Sequence, residues 1–487
     1  MAKGRGPGLL DVAKEAVDAA AAAGADYADA RAGRDDTETL TVRNQEMEGI
    51  DRSTSSGVGI RVLVNGRWGF AATARTDAAE IQRAAKLAIE QARAATVVPG
   101  DPVQLSDLEP VVDHWHGPCQ EDPFEVPLEE KVALLTEASR RMQQVPGITF
   151  AIGSLDFYRR RTCFASSEGA AIDQTITHSG GGIEAVAVDD GEVQHRSYPN
   201  SFRGHLSGAG YEHIRSLGLL TEAERTSSQA VELTHAPECP TEITTLVLDS
   251  GQVELQVHES IGHAVELDRV LGMEAAYAGT SFVTPQDRGS LRYASPIVNI
   301  TADATLRGGL GTFAYDDEGV RAQRTPIIVD GTFERFISSR ETAPVIGDVS
   351  SGTMRADGWA HLPLIRMTNI SLEPGEGSLA DIIGDTDDGV YMATNRSWSI
   401  DDKRVNFQFG CEIAWRIRDG KLAEPLRNPT YAGITTGFWN SCDAIAGPEE
   451  WTVWGTPNCG KGQPGQVARV GHGTSPARFR NVQIGVR

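Results

Sequence analysis

Leu255-Gln-Val-His-Glu-Ser-Ile-Gly-His-Ala-Val-Glu-Leu-Asp268 lies near the middle of a 487-residue chain. It sets His258 beside Glu259 and places His263 five residues after the first histidine. Two imidazoles and a carboxylate this close together are the parts of a hydrolytic metal site, two nitrogen ligands and a general base. On a regular α-helix, side chains four apart share a face, whereas a pair five apart is turned by about 140°. Both rings can reach one ion only where the helix widens, as a π-bulge does. Gly262, directly before the second histidine, is where such a distortion costs least. The stretch therefore predicts a metal-binding helix that is irregular at Ser260–Gly262.

Outward from this helix, the length of the chain calls for two or three domains. On the N-terminal side, residues 9–23 predict an Ala-rich helix ending at Gly24. Strand patterns follow at Tyr27–Gly33, Thr37–Arg43 and Gly57–Val64. Asn65-Gly66 between Val-Leu-Val and Arg-Trp-Gly-Phe is a two-residue hairpin signal. Asp77 caps a helix whose apolar face is Ile81, Ala85, Ala88 and Ala92. A Pro- and acid-rich connector (Val97–Val126) leads to a helix starting at Pro127. Short strands with Gly-rich turns then run from Ile148 to Val193, and Tyr211–Ser228 reads as helical. After the strand Thr244–Leu248 and the metal helix, the chain turns to short β runs rich in Gly. The expectation is an α+β protein. Its parts are an N-terminal helix/sheet layer (1–95), a central helix and meander (96–236), and a β-rich, barrel-like C-terminal domain carrying the metal helix (237–487).

Composition narrows the function. A net charge of −22 and a pI near 4.9 argue against a nucleic-acid-binding surface. No run of 18 apolar residues exists to span a membrane. The basic start, Met1 to Gly8, lacks the apolar core of a signal peptide. Six cysteines without a C-x-x-C pair fit free thiols in a reducing, cytoplasmic setting. Asp316-Asp-Glu-Gly319 lacks the rest of a calcium loop and reads as an acidic surface turn. His114-Trp-His116 has no partner cluster, and Gly57-Val-Gly59 reads as strand glycines.

Two imidazoles rarely hold a catalytic metal alone. Glu266 and Asp268 could serve as a third ligand, or could cap the helix or pair with Arg269. Among the cysteines, Cys459 stands out, because it lies in the Gly-rich run Gly455-Thr-Pro-Asn-Cys-Gly-Lys-Gly-Gln-Pro-Gly-Gln466. Cys411 reads as a small buried apolar residue, and Cys442 stays open.

These residues carry a resemblance to a known family. His258-Glu-Ser-Ile-Gly-His263 followed by Glu266-Leu-Asp268 resembles the H-E-x-x-x-H helix of the TldD/PmbA metallopeptidases, on the TldD side. Cys459-Gly-Lys-Gly-Gln, Ala360-His-Leu-Pro-Leu-Ile-Arg-Met-Thr-Asn369 and the early Gly57-Val-Gly-Ile-Arg-Val are similar to its other signatures. The resemblance covers essentially the whole chain. It implies that His258, His263 and Cys459 are zinc ligands and that Glu259 is the general base. It further implies cleavage of unfolded peptides or small unfolded proteins, such as leader-peptide removal, by a TldD-type catalytic subunit. That subunit would pair with a PmbA/TldE-type partner as a heterodimer, or with itself as a homodimer. The rival expectation is a non-catalytic peptide-binding or assembly protein whose metal is structural.

Overall fold

The computed structural model describes residues 8–201, 204–462 and 465–486. The basic start of the chain and two residues of the Gly-rich loop beyond Cys459 lie outside the described residues. The fold is α+β, as the sequence predicts. Strands on both sides of residue 95 join one eight-stranded sheet. Its long members are Tyr27–Arg43, Glu46–Val64, Ile148–Ser166 and Ala171–Asp189. The two strand patterns expected between Tyr27 and Arg43 are thus one continuous strand. Asn65 and Gly66 join Glu46–Val64 to Arg67–Thr73 with φ of 50° and 69°, the doubly positive pair of a tight hairpin turn.

The helices Leu9–Ala22 and Ala78–Ala95 bury small residues, largely alanines, in one core. The Asp77 carboxylate accepts from the Glu80 amide and caps the second of them. Leu128–Gln143 and Leu219–His235 pack into another core with Leu155, Phe157 and Ile183. The helix expected over 211–228 is broken. Gly218, at φ 69°, separates Glu212–Ser216 from the longer helix that follows.

In the C-terminal half five strands close on themselves. Asp388–Ile400 pairs with Glu242–Leu248, which pairs with Ala477–Ile484, then Thr430–Ile434, then Asn406–Arg418, and the last returns to the first. Closure removes open edges and encloses a core of Leu246, Met392, Phe409 and Phe479. Helix Ser250–Val257 leaves the strand Glu242–Leu248 directly, capped by the Asp249 carboxylate on the Gln252 amide. Barrel closure therefore fixes where the metal helix starts.

One expectation fails at the junction of sheet and barrel. Asp316-Asp-Glu-Gly319 is not a surface turn, because Asp316 and Glu318 are buried. The Asp316 carboxylate accepts from the amides of Glu318, Val320 and Met354. Glu318 meets the Arg61 guanidinium of the N-terminal sheet. The acidic run supplies the counter-charge for a buried arginine, which a sequence pattern does not show. Tyr315 hydrogen-bonds Asp113 and is not among the residues around the metal helix. The Gly57 and Gly59 pair has a further role: a Cβ at Gly57 would lie 2.7 Å from the Trp359 ring, and one at Gly59 2.1 Å from the Trp359 carbonyl oxygen. Absent side chains here let a loop from the C-terminal half lie against the N-terminal sheet. Among the described residues, no helix is long and apolar enough to cross a membrane.

Candidate metal centre

The helix Ser250–Val257 passes at His258 into a π-helical turn, His258–Gly262, followed by a 3-10 turn, His263–Val265. The His263 amide donates to the His258 carbonyl five residues back, the bond that defines a π turn. The irregularity is held by side chains. The Ser260 hydroxyl donates to the Gln256 carbonyl, and the Tyr293 hydroxyl donates to the Ser260 carbonyl. Trp439 Nε1 donates to Ser260 Oγ at 2.8 Å. The Gln256 and Ser260 carbonyls are thereby satisfied inside a buried core. Gly262 is needed for space rather than for an unusual φ. Its φ is −51°, and a Cβ there would lie 2.1 Å from Met367 Sδ.

Widening brings the two rings together. Their centroids lie 4.9 Å apart at 88°. Cys459 arrives from the strand Thr452–Lys461, with Sγ 3.6 Å from His263 Nε2. Ligand atoms of His258, His263 and Cys459 all lie within 4.8 Å of one another, and all three residues are buried. Cys411 and Cys442 are buried elsewhere in the core and are not in this group.

The hydrogen-bond network sets which nitrogen each histidine offers. The Ile370 carbonyl can only accept, so His472 Nδ1, 2.8 Å away, carries the proton. Burial, reinforced by His258, holds His472 neutral, well below the usual histidine range. Its Nε2 is therefore an acceptor, and His258 Nδ1 donates to it at 2.8 Å. His263 Nδ1 donates to Glu266 Oε2 at 3.0 Å. With Nδ1 engaged, Nε2 is the ring nitrogen that each of these two histidines can offer to a metal. Burial pushes the Cys459 thiol up, but His263 and Arg366 outweigh it and bring the thiol below its ordinary value, favouring thiolate. Two imidazole nitrogens and one cysteine sulfur fit a borderline-soft divalent metal ion.

Behind His263, Glu266 is paired with Arg269 at 3.5 Å and with Lys461 at 3.4 Å. Lys461 also donates to Asp268 Oδ1 at 2.7 Å. Glu266 and Asp268, open as ligands in the sequence, instead tie the helix to the strand that carries Cys459. Glu259 lines the cavity, with Oε2 accepting from Arg404 Nη1 at 2.6 Å. Burial would raise its carboxyl, but His258, His263 and Arg404 together hold it below the usual carboxylate value. Arg404 sits at φ 67° in a turn whose amides Val405 and Asn406 donate to Asp401. A non-glycine residue in this region costs of order 1–3 kcal/mol.

His258, Glu259, His263 and Cys459 open onto one cavity of about 400 Å³. Sequence reading missed His472, Lys461 and Arg404. His472 lies on the partner strand of the hairpin bearing Cys459, where Trp454 faces it in register. Continuing the hairpin beyond the Gly-rich turn could have drawn attention to it.

Comparisons with known proteins identify the family. The described PmbA/TldA metallopeptidase domains match in order: domain 1 over residues 28–92, the central domain over 121–235 and the C-terminal domain over 241–486. A metalloprotease from Methanothermobacter thermautotrophicus is 30% identical over 94% of this chain and 95% of its own length. One from Methanocaldococcus jannaschii is 28% identical over 92% and 94%. A metalloprotease TldD homolog from Haemophilus influenzae is 25% identical over 90% and 87%. The crystal structure of TldE from Thermococcus kodakarensis shares the fold, with a TM-score of 0.73 and 18% identity over 97% of this chain and 99% of that one. A putative modulator of DNA gyrase from Thermotoga maritima does so with a TM-score of 0.77 and 14% identity over 98% and 100%. The chain belongs to the PmbA/TldD metallopeptidase family.

Proposed function

We propose that this chain is a TldD-type zinc metallopeptidase in which His258, His263 and Cys459 hold the metal and Glu259 is the general base. The observation that carries this is the convergence of one ligand atom each from His258, His263 and Cys459 within 4.8 Å, beside a cavity that all three line. Three protein ligands beside open space are the pattern of a catalytic zinc rather than a closed structural one. When bound, zinc supplies Lewis acidity that activates water and polarises a peptide carbonyl. The protein's own part is proton transfer and positioning. Glu259, held ionised beside Arg404, takes a proton from the attacking water and delivers it to the departing amide nitrogen. His472 and Glu266 keep the two ligand rings in the required tautomer. The cavity, roomy and lined on one side by the strand Thr452–Lys461, suits an extended, unfolded peptide. Six free cysteines support a reducing, cytoplasmic setting. Kinship with the TldE fold supports pairing with a PmbA/TldE-type subunit or with a second copy.

Glu259→Gln tests the reading. The variant is expected to retain about one zinc per chain while peptide cleavage falls by about 10²- to 10⁴-fold, the contribution of a general base. Cleavage at the wild-type rate contradicts the assigned role.

A further inference from the structure

Among the described residues, three acidic or basic side chains besides the histidines line the active-site cavity: Glu254, Glu259 and Arg404. Arg404 is committed to Glu259. Glu254 stands one turn before His258 on the same helix and is 7% exposed. Its Oε1 accepts from the Thr456 hydroxyl, and among the described residues it makes no ion pair. A buried carboxylate without a counter-charge is costly unless a cation arrives to share the site. Burial accordingly pushes its carboxyl up, opposed by Thr456 and His258. The strand Thr452–Lys461 reaches Glu254 through Thr456. Trp454 and Thr456 are two apart on one strand, so they share a face, and both line the cavity with Glu254.

We infer that Glu254 is a specificity residue that receives a primary ammonium group of the peptide, close to the bond that is cut. The inference rests on the metallopeptidase reading and deepens it. Four residues along a helix span about 6 Å, less than two residues of extended peptide at about 3.3 Å each. The ammonium therefore belongs to a residue at or next to the scissile bond. Two sources share this chemistry: the α-amino group of a peptide trimmed from its N-terminus, or a lysine side chain.

The test compares the full chain, purified with its metal, with Glu254→Gln, which keeps an oxygen for Thr456 but loses the charge. The probes are one heptapeptide in three forms: free at the N-terminus, N-acetylated, and N-acetylated with a lysine moved through the sequence. The wild type is expected to favour one ammonium-bearing form over the acetylated, lysine-free form by about tenfold or more in kcat/KM, as a charge-assisted hydrogen bond allows. Glu254→Gln is expected to bring that ratio close to one. A preference for the free N-terminus identifies the α-amino source, and a preference set by lysine position identifies the side chain. A wild-type ratio of one, or a ratio that survives in Glu254→Gln, overturns the inference. Equilibrium binding of the same peptides to Glu259→Gln and to the Glu254→Gln, Glu259→Gln double variant reads recognition without turnover. Ammonium-dependent binding that disappears with Glu254 upholds the inference even where no peptide is cleaved. Binding that ignores the ammonium overturns it whatever the fate of the peptidase reading.

Discussion

Two networks of buried charge organise this molecule. At the junction of sheet and barrel, Arg61 joins Asp29 at 2.6 Å and Glu318 at 3.3 Å, and Glu318 also accepts from the Arg340 amide. Behind the metal centre, Lys461 and Arg269 converge on Glu266, which holds His263. The ingredients are the same: arginine or lysine, carboxylates and almost complete burial. At the junction the strong bonds run from one part of the protein to another. At the metal centre the chains of bonds end on two imidazoles whose Nε2 atoms are left for something else. Burial and charge alone do not mark a site; a buried network becomes one where it delivers unused donor atoms to a cavity.

That contrast can be broken by substitution. The largest effect is expected at the junction. Glu318→Gln removes the charge that Arg61 needs and should cost about 3–5 kcal/mol of stability, read from urea unfolding, while folded protein keeps its metal. Loss of metal from a still-folded Glu318 variant would merge the two networks into one. His472→Gln should do the reverse. Metal affinity is expected to fall by about 10- to 100-fold, as for other groups that orient a ligand histidine, with a smaller change in unfolding midpoint. An unaltered metal affinity would remove His472 from the centre. The smallest effect is expected at Gly262→Ala, where the new Cβ crowds Met367 Sδ. Overpacking of about 1–3 kcal/mol is expected, relieved by Met367→Ala in the double variant. Additive losses in the double variant would show that Gly262 serves some purpose other than space for Met367.

The two networks also differ in how far they were legible in the sequence. The widened turn was legible because i, i+5 histidines are incompatible with a regular helix, and spacing is a local property. Cys459 could be singled out by its Gly-rich surroundings, although Cys442 remained open on those grounds. His472 and Arg404 were not legible. They meet His258 and Glu259 across 214 and 145 residues, contacts that exist only once the barrel has closed. The junction misled outright. Asp316-Asp-Glu318 looks like a solvated turn, since nothing local announces that Arg61 will be buried against it. The broken helix near Gly218 has a local cause, a glycine with positive φ, that helical periodicity alone overrode.

The central claim is the ligand set: two histidine nitrogens and one cysteine sulfur brought together by a π turn. Zinc K-edge absorption spectroscopy of the purified, metal-loaded chain reads it directly. One zinc per chain is expected, with nitrogen or oxygen neighbours at about 2.0–2.1 Å and a single sulfur at about 2.3 Å, the sulfur signal vanishing in Cys459→Ser. A first shell without sulfur, or one unchanged in Cys459→Ser, would contradict it.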